Sequence, residues 1–455
     1  MTARLLTILS LLVISPWPAD AARADVEVRR TLARTSDPVT VRGERIRAFS
    51  RVPIEGLRLY AEREGALIPI PFQVDEIDLR GLYVLPEGKR PNRDAGDKQF
   101  AELTDGLVDA NDELVFMAGD LGGRVGSPEA PTGCGRALEV EVVDPIDGGR
   151  GWAYLFECHD PPPRSERDYV DFDPARDLID AEGYVLGYSP DQDLVYTEHI
   201  AIKEEGGGDG SNLIDRMNIR FHASILIKSI TFSRNEDDFV SEVISYKDGP
   251  VRVMRRVGNR MRLVLGLRSP EIIAYSVYYG RSIESPNTFN MPVSMKAVVK
   301  DVDFVGSTDY SSSAIGMLFY SSGNRAGSIV DGISSPQEDS IDREDNEWTV
   351  LTGPQGTILT RLVLGPKFRS QIGNRLHYVD DKATPNRPEN EHGQYPTIGF
   401  IPTNLMELAP GLYHYNVHIY VLPGYRPGDE KTRLDILDTP LQTRINPLGP
   451  TFQRP

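Results

Sequence analysis

The sequence is short of cysteine, of long apolar runs and of helical periodicity, and each shortage narrows what the chain can be. Cys134 and Cys158 are its two cysteines. They bracket a hairpin pattern, Ala137 to Val143 and Trp152 to Glu157 around an Asp147-Gly148-Gly149 turn. In an exported protein that arrangement reads as a disulfide rather than a metal site or a nucleophile. Closing a loop of about 24 residues would contribute about 3 kcal/mol through lost denatured-state entropy. Past the first residues no run approaches the ~18 apolar residues of a transmembrane helix, so no membrane insertion is expected. Basic residues are outnumbered, 50 Lys and Arg against 67 Asp and Glu, for a net charge of −17. Such a surface repels nucleic acid and anionic lipid, and no nucleic-acid partner is expected. No nucleophile-elbow pattern occurs, so nothing supports Ser-His-Asp catalysis. Gly206 to Gly210 is glycine-rich, yet no Lys-Ser/Thr closes it and no helix pattern follows, which makes it a loop and not a phosphate cradle.

What is present begins with a secretory signal. Arg4 supplies a charged start, Leu5 to Ile14 an apolar core, and Ala22-Arg23-Ala24 a small-x-small cleavage site. Residues 1–24 are therefore expected to direct export, to the periplasm or outside the cell. The remainder is too long for one ordinary core. From residue 25 to 160 the pattern is short alternating strands cut by Gly and Pro. Residues 161–168 open with three prolines, which cannot donate ladder hydrogen bonds and mark a linker. A second all-β region is expected from residue 169 to 455. The predicted fold is thus all-β: an N-terminal β-barrel or sandwich module, then a large antiparallel β-supersandwich. Candidate strands include Val251 to Val257, Arg260 to Leu267, Ile272 to Tyr279, Val293 to Val299 and Leu412 to Leu422, with Gly258-Asn259 as a turn signal.

Three constellations could carry chemistry. Arg252, Arg255, Arg256, Arg260, Arg262 and Arg268 concentrate positive charge in an acidic chain. Arginine grips carboxylates bidentately, so Arg252 and Arg256 are candidate substrate-binding residues; cross-strand pairing with nearby acids is the alternative. Leu412 to Leu422 alternates cleanly and places His414, Asn416, His418 and Tyr420 on one polar face. His414 and His418 would lie ~13 Å apart there, too far to share one metal. Asn416 and His418 are candidate substrate-binding residues, and His414, Tyr420 and His222 candidate proton acceptors. Asp105, Asp109 and Asn111 offer the oxygens calcium needs, though the same residues cap tight turns, and the spacing departs from an EF-hand. No other metal or cofactor is expected.

Two sets of segments add a resemblance. Val52-Pro53-Ile54, Ile68-Pro69-Ile70-Pro71-Phe72-Gln73-Val74-Asp75 and Asn111-Asp112-Glu113-Leu114-Val115-Phe116 resemble the N-terminal β-modules of secreted bacterial polysaccharide-processing proteins. Asp248-Gly249-Pro250-Val251-Arg252 resembles a strand start in their galactose-mutarotase-like supersandwich domains. These matches cover about a tenth of the chain and carry over no catalytic position. The resemblance implies a two-part β architecture and a carbohydrate polymer as partner. The expectation is an exported protein that binds or processes an acidic polysaccharide, by β-elimination if it is an enzyme. The alternative is a non-catalytic envelope or surface module that binds a protein or glycan.

Overall fold

Among the described residues strands dominate and pair antiparallel in six sheets, none closed into a barrel. The computed structural model describes residues 26–78, 81–91, 106–126, 129–189, 196–225, 230–262, 266, 268–269 and 271–448. The expected signal segment and Asp105 lie outside them.

The N-terminal module is a sandwich. Pro38–Arg42, Glu113–Met117 and Phe72–Asp75 form a three-stranded sheet that faces a five-stranded one built on Cys134–Val143, Arg150–Cys158 and Leu57–Arg63. Strand alternation decides the packing: in Pro38–Arg42, Val39 and Val41 are buried while Thr40 and Arg42 are exposed. Val41, Leu114 and Phe116 meet Leu59, Val140 and Leu155 in the core between the sheets. The expected disulfide joins Cys134 to Cys158 across its hairpin.

The last strand crosses the expected division at residue 169. Gln442–Pro447 pairs with Cys134–Val143, so the C-terminus returns to complete the first module's five-stranded sheet. Residues 161–168 are also no free tether. Arg58 donates to the Pro162 carbonyl, Arg164 donates to the Ile54 carbonyl, and the Arg164 guanidinium lies 5.0 Å from the Phe72 ring centre.

The second body stacks a nine-stranded sheet against a five-stranded and a four-stranded one around a common core. The middle of the large sheet runs Arg252–Met261, Ile272–Tyr279, Ser282–Met291, Gly411–Leu422 and Gly356–Leu364. Val253, Tyr278, Ile283 and Val421 point inward to the core. Arg252, Val277, Glu284, His418 and Tyr420 therefore face outward, toward the N-terminal module.

Two strand expectations fail for physical reasons. Arg252–Met261 continues through Gly258, which pairs with Ile273 and Glu242 rather than turning. A Cβ at Gly258 would lie 2.8 Å from Arg90 and from Glu271, so the glycine makes room for that ion pair to cross the strand. Val293 to Val298 is not a strand; a 3-10 turn at Met295–Ala297 leads into Val299–Tyr310. Ser282–Met291 is a full strand despite Pro286, and helix Asp429–Asp438 carries no clear apolar stripe to announce it.

The segments that carried the resemblance meet at the junction of the two bodies. Gln73 Oε1 accepts the backbone N–H groups of Val251 and Arg252 at 3.1 and 3.0 Å. Asp75 pairs with Arg252 and with Lys247, each at 2.7 Å, and Glu113 pairs with Arg252 at 3.0 Å. Leu85, Val115 and Met117 pack on Met254, Val277 and Tyr279 around this buried charge network.

Candidate functional site

The outward face of the nine-stranded sheet continues from this junction as a half-buried polar row. Its centre is set by register. Glu284 lies directly opposite His418, Pro286 opposite Asn416, and Arg361 opposite His418 on the other side. Directly opposed residues in an antiparallel pair hold their Cβ atoms about 4.5–5.5 Å apart. Glu284 and His418 are thus neighbours although the chain between them is long. The His418 and Tyr420 rings lie nearly parallel, 6.4 Å between centres and 8° apart. Tyr275 stacks on Tyr83 of the N-terminal module at 6.0 Å. His414 marks the exposed end, its Nδ1 2.9 Å from Thr288 Oγ1.

Burial sets the protonation states. The His418 imidazole is pushed down to about 4, first by desolvation and then by the Arg361 guanidinium. It is neutral at pH 7 and available as a base. Desolvation raises the Glu284 carboxyl, with Arg252 opposing, which favours a protonated acid. Tyr420 is raised by desolvation and then by Glu284, so it keeps its proton. Three buried polar atoms on this face have no hydrogen-bond partner: Tyr275 Oη, Asn416 Oδ1 and His418 Nδ1. Buried polar atoms are nearly always paired, so this trio marks an unsatisfied polar stretch of the face. Arg361 is anchored by Asp438 at 2.9 Å and Glu347 at 3.2 Å, and it flanks the row without being free to bind.

Asn416, His418, Tyr420 and, at the exposed end, His414 lie on one face of the single strand Gly411–Leu422. Arg256 opposes Tyr275 and shares the same face, with Glu271 acting on it electrostatically. Arg252 is a correction. It is only 3% exposed and held by Asp75 and Glu113, so it cannot meet a substrate. The rest of the arginine group disperses. Arg255 is buried against Asp177 at 2.7 Å and over the Tyr188 ring at 3.9 Å. Arg260 pairs with Glu271 at 3.0 Å, and Arg262 donates to the Asp237 carbonyl. His222 stands apart from this face. It sits on the outer face of the five-stranded sheet beside Ser233, on the opposite side of the sandwich from His418. At the Asp109 turn, Asn111 donates to the Ile77 carbonyl and Asp112 accepts the N–H groups of Asp109 and Ile77. Those bonds are turn chemistry. No group of three His, Cys, Asp or Glu side chains able to hold a metal occurs among the described residues.

Sequence reasoning missed Glu284, Tyr275 and Arg361. Ser282 to Glu284 alternates weakly before Pro286, and only the cross-strand register links Glu284 to His418.

No family model matches the chain, and no curated protein matches it. Two solved structures are similar over most of it: a glycosyl hydrolase family 38 protein from Enterococcus faecalis and an α-mannosidase from Enterococcus faecalis V583. Each is 9% identical over 94% of this chain, with TM-scores of 0.43 and 0.44. This chain spans about half the length of those chains, 48% and 46%. At that distance no residue or activity transfers.

Proposed function

We propose that this is an exported protein, periplasmic or secreted, that binds and processes a carbohydrate polymer at the polar row around Glu284 and His418. The observation that carries this is the opposed carboxyl and imidazole beside three unpartnered buried polar atoms. Aromatic walls from Tyr83, Tyr275 and Tyr420 suit a sugar ring, and the polar atoms suit its hydroxyls. In the acidic-polysaccharide version the reaction is β-elimination. His418 takes the C5 proton, the electron pair forms the C4–C5 double bond, and the C4–O bond breaks. Glu284 then gives its proton to the leaving oxygen. Arg256, in place of Arg252, faces the uronate carboxylate.

Incubation with uronate polymers and with neutral glycans tests this. An ultraviolet rise from unsaturated ends is expected on uronates. New reducing ends without that rise would replace elimination by hydrolysis. Neither signal, together with no binding, would overturn the site.

One observation favours a non-catalytic surface module instead. The edge strand Asn324–Ile329 presents Ile329 at 56% exposure beside its partner Leu318 at 39%, a surface suited to a protein partner.

A further inference from the structure

The opposite face of the sandwich holds a polar concavity, remote from the polar row around His418. It is an open cavity of about 520 Å³ lined by Asn235, Arg387, Pro388 and Glu389. The wall formed by residues 385–391 is tied down by side chains. Asn386 donates to Asp309 at 3.0 Å, and Arg220 donates to the Asn386 carbonyl at 3.2 Å. The N–H groups of Asn390 and Glu391 go to Asp215 at 3.1 and 3.0 Å, and Arg216 donates to the Pro388 carbonyl.

The polar atoms left over here are of both kinds. Asn235 spends its carboxamide oxygen on the Asp237 N–H, which leaves its amino group to donate. Arg387 is exposed and forms no ion pair among the described residues. Behind the wall, the buried Asn218 Nδ2 and Arg216 Nε have no hydrogen-bond partner, while Glu236 Oε1 lies in an ion pair 3.6 Å from Arg216. The lining itself therefore offers the Asn235 amino group and the Arg387 guanidinium as donors, the Glu389 carboxylate, which also accepts the Asn386 N–H, as an acceptor, and Pro388 as an apolar patch. A hydroxyl is the group that both donates and accepts. A carboxylate ligand fits less well, because Glu236, Asp237 and Glu389 surround the position while Arg216 and Arg220 are already paired to Glu236.

We propose that this cavity is a separate binding site for a neutral, hydroxyl-rich ring, a saccharide unit, gripped by Arg387, Asn235 and Glu389 against Pro388. It does not depend on the chemistry assigned to the row around Glu284. The test is calorimetric titration of the full chain with neutral oligosaccharides of hexose, and separately with a uronate oligomer. Binding of the neutral series is expected, weakened at least tenfold in Arg387→Gln and in Arg387→Glu. Because Arg387 is exposed, both variants should keep the parent's melting temperature and near-ultraviolet dichroism, which confirms that loss of binding is local. Glu284→Gln should leave this binding unchanged. No binding of the neutral series, equal binding to the Arg387 variants, or loss of binding in Glu284→Gln would each overturn the proposal. Stronger binding of the uronate than of the neutral series would overturn the ligand assignment.

Discussion

Arg252 and Asp75 meet across the junction of the two bodies, guanidinium to carboxylate at 2.7 Å, with Asp75 fully out of solvent. A pair this deep is costly to break, because the surviving partner is left charged without compensation. Arg252→Ala should lower unfolding stability by about 3–5 kcal/mol. Arg260→Ala, in a half-exposed pair, should change it by less than about 1 kcal/mol. Urea denaturation of both variants checks the contrast, and equal effects would show that the junction pair is no lock.

Asp75 also predicts an acid limb. Burial would raise its carboxyl, but Lys247 and Arg252 outweigh burial and hold it below the usual carboxylate range. Its contribution is therefore present above the unfolded value of about 4 and lost as pH falls through the folded one. Denaturation midpoints measured below pH 4 should fall less steeply in Asp75→Asn than in the parent.

Asp309 and Asp112 act in the other direction. Desolvation pushes each carboxyl up to about 7. The folded state then holds protons that the unfolded state has released. Stability from these groups is full below about pH 4 and is lost as pH rises toward 7. Asp309→Asn should flatten the decline between pH 5 and about 7; an unchanged slope in urea titrations would refute the assignment.

Removing the disulfide gives an independent check on the N-terminal hairpin. The cysteines are 24 residues apart, and the double change Cys134→Ser, Cys158→Ser should cost about 3 kcal/mol. Thermal melts with and without reductant should reproduce the difference in the parent and show none in the variant.

For the polar row, Glu284→Gln should reduce turnover of the processed glycan by about 100-fold or more while leaving its melting temperature unchanged or raised. The carboxyl is already disfavoured by burial, so the amide removes chemistry and not stability. A rate profile that still falls below about pH 4 in this variant would be the His418 limb. Loss of that limb in His418→Gln would assign it.

Much of the fold was legible in period-two alternation, since strand geometry sends successive side chains to opposite faces whatever lies beyond. That is why the Cys134–Cys158 hairpin and the polar row from His414 to Tyr420 could be read directly. Glycine was less readable. Gly258 resembles a turn residue in one dimension, and only the tertiary structure shows it inside a strand with the Arg90–Glu271 pair passing over it.

The sequence by itself determined that alternating strands would bury their apolar faces and leave a row of imidazole, amide and phenol on one side. That information is local, fixed within a few residues by backbone geometry. Tertiary structure alone decided that Glu284 stands opposite His418, that Arg252 is spent on Asp75, and that the C-terminal strand closes the first module. Those partners are distant in the chain, and a pairing between distant strands is chosen by register and by the docking of whole sheets.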